Sequence, residues 1–502
     1  MHRTFTLVLA SCFALLSLSN TLFAQAVVFD AAAARHLLAR TTFGPSAAEV
    51  EAAVAAGLNA SVDKLLAGAT ARKPRSFEVK PIRVERAALR GLSEEERQKK
   101  QNENRREDLQ QLRSFTAWWM EVMVGGDAPL REKLVLFWHG HFTSSMRDVR
   151  DSKRMIDQNE LLREECAGSF RRMLKAITVD AAMLEYLDND ENRAGKPNEN
   201  YAREVMELFT LGVGNYTEKD IAEAARALTG WRVRGDEVYL DRRQQDRGEK
   251  TVLGVTARID TDELLEILLA RPEATRWVAA RLVRFFAGEN AAPELAASVA
   301  AALRENDWQL APALRVLFTH PGFYARELRG QRVLSPVELV ASLTHRTGDV
   351  VPPFLLVAAA SRMGQTLFDP PDVRGWGGGA DWINSASLLE RQNWCGHLVG
   401  GVNPRDLKGG GDDRALRELA RSGNWTPKKP LLTQEEQAGI TTERALVDHL
   451  CRRFLEVQPL EAVRATLAER VKAEFVGGRC PADKVVRGLL KLVLSLPEAQ
   501  IH

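Results

Sequence analysis

The sequence predicts a mainly α, multi-helix globular protein with a small β-hairpin insertion. Three observations carry that prediction. Apolar residues recur at helical spacing through most of the chain, as in Leu162, Cys166, Phe170, Met173, Leu174 and Ile177. Extended, alternating character is confined to Trp231–Gly254, where Trp231-Arg232-Val233 and Val238-Tyr239-Leu240 fit a hairpin. Helix-start chemistry is explicit at Ser46, with Glu49 three residues on completing a capping box. The 502 residues are 45% hydrophobic and 27% charged, ordinary values for a globular chain with two or three core-forming units. A net charge of +2 gives no electrostatic case for a nucleic-acid partner.

Residues 1–26 read as a Sec-type signal peptide. Met1–Arg3 is basic, Phe5–Leu18 is apolar, and Ala24-Gln25-Ala26 has the small-x-small form of a cleavage site. The mature chain would start near Gln25 or Val27 and work in the periplasm or outside the cell. Leu9-Ala10-Ser11-Cys12 is a rival lipobox, preceded by few apolar residues. No later segment is long and apolar enough for a transmembrane anchor.

A helical core is expected over 27–400. Ala31–Leu38 opens it, followed by a turn at Thr41–Ser46. Lys73–Arg113 is a charged excursion, a solvated helix or surface arm. The apolar period returns at Phe115, through Trp118, Trp119, Val122 and Met123 to Leu134, Val135, Phe137 and Trp138. Asn159–Ile177 is helical, and Glu218–Thr229 ends at Gly230. After the β-like insertion over 231–254, helices are expected at Asp260–Leu269 and Ala274–Phe286 and onward to Phe318. Pro336–Leu343 and Pro353–Arg362 follow. Asp369–Gly379, dense in Pro and Gly, is a loop. A polar linker over 401–442 precedes a helical segment over 443–502. Cys166, Cys395, Cys451 and Cys480 form no CxxC pattern, which argues against zinc. In an exported protein Cys451 and Cys480, both in the C-terminal segment, are either a disulfide pair or buried free thiols.

Three segments carry chemistry. In Asp188–Gly214, Asp188, Asp190, Asn192 and Glu199 fall at positions 1, 3, 5 and 12 of a calcium loop. Arg193 stands where that loop needs Gly, and an Asx-rich turn is the plain alternative. In the following helix Glu199, Asn200, Arg203, Glu204 and Glu207 share a polar face of roughly 140°. That face is either a ladder of i, i+4 ion pairs or a polar cluster with a carboxylate tuned by Arg203. Glu199, Arg203 and Glu204 are the catalytic candidates, with Asn200 as a binding candidate. In Phe137–Ser145, His139 and His141 would present both rings to one divalent metal if the backbone were extended. Glu199, Glu204 or Asp246 would have to complete the set; the alternative is a pair of satisfied core histidines among Trp138 and Phe142. In the third segment, Leu367–Asn384, Arg374, Trp376 and Trp382 are binding candidates, the tryptophans as a stacking platform. The alternative there is a rigid loop packed on the core. No GxSxG, HExxH, CxxCH or Rossmann fingerprint occurs.

Taken together, His36–Gly44, Phe137–Phe142, Tyr186–Asn189, Pro197–Gly212, Gly230-Trp231, Ser335–Glu338 and Phe368–Asn384 resemble the bacterial DUF1800 family of exported proteins. The likeness covers nearly the whole mature chain. The family often carries His-Asp where this chain has Gln245-Asp246, ahead of Gly248, Lys250 and Gly254. The resemblance implies a DUF1501-like partner, of a group that looks like the alkaline phosphatase/sulfatase superfamily. Two functions follow. One is an exported envelope protein that binds or acts with such a partner. The other is a metal-assisted or acid–base hydrolase whose His139, His141, Glu199, Arg203 and Glu204 converge in one cleft.

Overall fold

The computed structural model describes residues 27–71, 77–82, 90–403 and 424–502. The expected leader with Cys12, two stretches in and beside the charged excursion (72–76 and 83–89) and about half of the polar linker (404–423) lie outside the described residues. Helix α1 (Ala31–Thr41) is capped by Asp30. The Ser46 capping box then starts α2 (Ala47–Ala56), as its sequence predicts, and α3 is Leu58–Thr70. The charged excursion runs into α4 (Glu94–Gly125). Its first half is solvated and its second half buries Phe115, Trp119, Met120 and Met123. Helix α5 (Pro129–His141) is buried on nearly every side. It packs on α3 and on α7 (Ser152–Glu165), after the single turn α6 (Met146–Val149).

Next come α8 (Phe170–Thr178), α9 (Ala181–Tyr186) and α10 (Asn200–Glu204). Helix α10 runs without a break into a π-helix, Val205–Leu211. Helix α11 (Glu218–Ala227) leads to the predicted hairpin, β1 (Trp231–Arg234) and β2 (Glu237–Leu240), with Trp231 opposite Leu240. A second antiparallel pair, β3 (Lys250–Val252) and β4 (Val255–Ala257), extends the β region past its expected end at 254. Helices α12 (Thr261–Leu269), α13 (Pro272–Phe286), α14 (Pro293–Glu305) and α15 (Leu310–Thr319) then stack in sequence, and α15 returns to α3. Helices α16 (Pro336–Thr347), α17 (Pro353–Arg362) and α18 (Ser385–Gly400) close this body.

The C-terminal part is less separate than the sequence implies. Val402 bridges Trp425, and Trp425, Leu431 and Leu432 are buried, so the described part of the linker is packed. A lone Trp425 and one Leu431-Leu432 pair among Lys, Pro and Thr make no helical or alternating period, which hides them from a periodicity reading. Helices α19 (Gln434–Gly439), α20 (Glu443–Phe454), α21 (Glu461–Val471) and α22 (Asp483–Leu494) follow. Helix α20 packs on α16 and α22 on α18, and Ile501 bridges Val333. One continuous apolar cluster joins these helices to the rest. Of the two alternatives for Cys451 and Cys480 the structure shows free thiols, as at Cys166 and Cys395. No helix among the described residues is long and apolar enough to cross a membrane.

Candidate functional site

The Phe137–Phe142 stretch is helical to His141, which overturns the extended backbone that a His-x-His metal pair requires. Successive residues on a helix turn by about 100°, so i and i+2 point to different sides. His139 accepts the Phe368 N–H at Nε2 (3.1 Å), while His141 donates from Nε2 to the Phe209 carbonyl (3.2 Å). Burial drives both rings down to about pKa 3, aided at His141 by the nearby Arg281 charge. Both are therefore neutral at physiological pH, and no carboxylate acts on either.

These histidines are tethers. From the end of α5 and α6, the loop after α17 is held at five places. His139 takes the Phe368 N–H, and the Phe368 carbonyl accepts the Met146 N–H at 2.9 Å. The Thr143 hydroxyl donates to the Val373 carbonyl, and Arg147 pairs with Asp369. Gly375, at φ +82°, lies so close that a Cβ there would sit 2.6 Å from the Gly140 carbonyl oxygen. Only glycine combines that φ with that approach. Trp376 lies against the His139 ring, centroids 5.3 Å apart.

The loop so fixed is one wall of a cleft of about 1100 Å³. The other walls are the end of α13 with Gly288 and Glu289, the segment from Leu328 to Glu338, and Phe137 and Gly140 of α5. Trp376, Trp382 and Arg374, the binding candidates of the sequence, all line it. Trp382 is buried in the wall, and exposed Arg374 grips Asp372 at 2.7 Å. Behind the floor, Glu338 receives Lys133 (2.6 Å) and Arg332 (2.9 Å). Burial pushes that carboxyl up, but the two cations outweigh it and hold it well below the usual carboxylate range. Lys133, lowered by burial to about 8, keeps its proton at neutral pH through Glu338. Arg284 at the mouth pairs with Glu289 at 2.6 Å.

Sequence reasoning missed Arg281. It lies one turn before Phe285 on α13, among Val278, Leu282 and Val283, and so reads as an ordinary rim residue of an amphipathic helix. In the structure it lines the cleft with no carboxylate partner among the described residues, and its Nε is sealed from solvent with no acceptor. Burial, and then neighbouring Arg284, lower its affinity for its own proton. Its signal in the sequence is weak, since only the fold brings α13 to the loop. Glu338 was better marked, as the third residue of the Ser335 capping box.

The first segment is built differently. Asn192 is buried and its amide is spent: Nδ2 donates to Asn189 Oδ1 and the Ala225 carbonyl, and Oδ1 accepts the Asn198 N–H. Asp188, at φ +53°, accepts from Asn200 Nδ2 at 3.2 Å. Asp190 is pushed up by burial and by neighbouring Glu185 and Glu191, with no base to offset them. Glu199 faces Arg203 at 3.5 Å. The loop is thus an Asx turn closed on itself. Among the described residues no group of three or more His, Cys, Asp or Glu is placed to hold a metal ion. The candidate metal set His139, His141, Asp188, Asp190, Asn192 and Glu199 does not come together. Asp246 is bound by Arg226 (2.8 Å) and accepts the Gly248 N–H, so the Gln245-Asp246 corner ties α11 to β3.

The polar helix face is half ladder, half anomaly. Arg203 forks onto exposed Glu218 (2.8 and 3.0 Å) across to α11, not onto a buried carboxylate. Glu207 accepts the Tyr216 hydroxyl at 2.6 Å. Glu204, half-buried, has no hydrogen bond or ion pair among the described residues. Burial, then Glu207 and Asp372, raise its pKa to about 7 against the pull of Arg203. The π-helix begins at the next residue, and side-chain donors reach its carbonyls: Thr210 to Val205, Trp277 to Leu208 at 2.8 Å, and His141 to Phe209. π turns recur at functional sites because they re-aim side chains.

A model of a protein family, described as "Protein of unknown function (DUF1800)", matches residues 36–501. The chain belongs to the DUF1800 family. No curated protein and no solved structure matches it. Within this DUF1800 member, the segments that carry the family resemblance meet around α5: its own Phe137–Phe142, the loop it clamps, the π-helix it tethers, and Glu338 bound to its Lys133.

Proposed function

We propose that this DUF1800 protein is exported and acts as a binding protein, its cleft gripping a segment of a partner. The partner implied by the family resemblance is a DUF1501-like protein. One observation carries the reading. The Trp376 wall is fixed in advance by α5 and α6, so little ordering is lost when a ligand docks. The buried carboxylate behind the floor, Glu338, is locked between two cations and is no proton carrier, which favours binding over acid–base work in the cleft. The leader, basic then apolar then Ala-Gln-Ala, supports export. N-terminal sequencing of the cell-envelope fraction should find Gln25 or Val27 first; an intact Met1 on envelope material would sink export by cleavage. Titration of a DUF1501-like protein onto the mature chain should weaken at least tenfold with Trp376→Ala, and equal affinity would remove the cleft from the reading.

A second reading rests on Glu204, an unpaired carboxylate with a pKa of about 7 beside a π-helix. It would make Glu204 a general acid–base outside the cleft. Glu204→Gln abolishing a hydrolytic activity of the purified protein, with a pH profile turning near 7, is its test. Activity unchanged in that variant rules it out.

A further inference from the structure

The geometry points to Arg281 as the receptor for a single acidic side chain of an extended peptide docked in the cleft. This rests on the reading of the cleft as the partner's binding site and names what is recognised there. Arg281 is the cleft cation without an acid among the described residues: Arg284 has Glu289, Arg332 has Glu338 and Arg374 has Asp372. An arginine withdrawn from water and facing another arginine costs free energy that a ligand carboxylate would offset. Its fork matches a carboxylate in two parallel hydrogen bonds.

Two further features favour a peptide. The N–H groups of Gly377 and Gly378 on the facing wall have no acceptor among the described residues, so a passing peptide carbonyl finds donors there. Asp381 stands exposed at the rim and has no basic partner among the described residues. It disfavours a second acid near the mouth and suits a basic or neutral residue. The occupant therefore carries one acid deep beside Arg281, apolar contact for Trp376 and Phe285, and no run of acids.

The test uses the mature full chain and a labelled ten-residue synthetic peptide with one central Glu, apolar neighbours and one Lys, read by fluorescence anisotropy. Its twin carries Gln in place of Glu. The Glu peptide should bind at least tenfold tighter than the Gln twin. Arg281→Gln should erase that preference, and Arg281→Lys should keep part of it. The Arg281→Gln melting temperature should not fall, because an unmatched cation is removed. A preference that survives Arg281→Gln, or no preference at all, overturns the inference. Trp376→Ala separates it from the broader reading. If that variant loses both peptides while Arg281→Gln changes neither, the cleft stands and Arg281 falls. If neither variant matters, both fall. Displacement of the peptide by glucuronate at a lower concentration than by its own unlabelled form would make the ligand an acidic sugar and overturn the peptide assignment.

Discussion

Two loops of this molecule invite comparison. Asp188–Glu199 is crowded with carboxylates and amides, while Asp369–Ile383 is mostly Pro, Gly and Trp. The crowded loop spends most of its polar atoms on itself, the buried Asn189 Nδ2 apart: Asn192, Asn198 and Asn200 bond within the loop and to α11, and Arg232 covers the carbonyls of Asp190 and Asn192. The sparse loop is held from outside and leaves a wall of the cleft. Ligand chemistry follows from polar atoms left unmatched, not from how many a segment contains.

The largest effect expected concerns the anchor of the sparse loop. His139 and His141 have ordinary unfolded values near 6.5 and are held near 3 in the fold by burial. Stability resting on their neutral rings is complete above pH 6.5 and drains as pH falls toward 3. Two protons give a slope of about 2.7 kcal/mol per pH unit, about 4 kcal/mol lost by pH 5. Urea midpoints at pH 7 and 5 for wild type and a His139→Gln/His141→Gln double variant measure it. A variant with the same acid slope would show that neutral histidines tether neither the loop, through His139, nor the π-helix, through His141.

Asn192→Ala tests the crowded loop. It strips partners from the Ala225 carbonyl and the Asn198 N–H, and should cost about 3 kcal/mol in urea unfolding. A loss under 1 kcal/mol would mean that water replaces the amide and that the loop is not self-sealed. Glu204→Gln is smaller and opposite in sign. The folded carboxyl sits near 7, above its unfolded value, so its contribution is intact below about 4.5 and lost as pH rises through 7. At pH 8 the variant should be about 1 kcal/mol more stable than wild type, after allowance for screening, and equal to it at pH 4.5. Equal stability at both would deny the raised value. Arg203→Ala should be the smallest, with a urea midpoint unmoved, because its partner Glu218 is exposed. A clear loss there would make Arg203 a structural clamp between α10 and α11.

Much of the fold was legible. The Ser46 box, the Trp231 hairpin and Pro353–Arg362 stand where local chemistry puts them, since capping, alternation and periodicity act within a few residues. The site was legible in part. Arg374, Trp376 and Trp382 line the cleft, while His139 and His141 follow the alternative of satisfied core histidines rather than a metal pair. Their helix continues the period from Leu130, and an i, i+2 pair says nothing of which backbone holds it. Arg281 stayed hidden because its isolation is a fact about other helices. The π-helix stayed hidden because the composition of Val205–Leu211 also suits an α-helix; the donors that favour it, Trp277 and His141, come from elsewhere in the chain.

That π turn has a consequence for the length of the chain itself. It holds one residue more than an α turn would, which shifts the phase of the residues after it by roughly 100°. Deleting a single residue between Val205 and Leu211 would let the segment relax to α geometry without altering its apolar character. Gly212, at φ +81° against the Trp277 ring, would then meet that ring out of register. The acceptors of Trp277 and His141 would swing away together. Deleting Met206 alone, which removes none of the hydrogen-bonding side chains, would therefore part the π-helix from both α5 and α13.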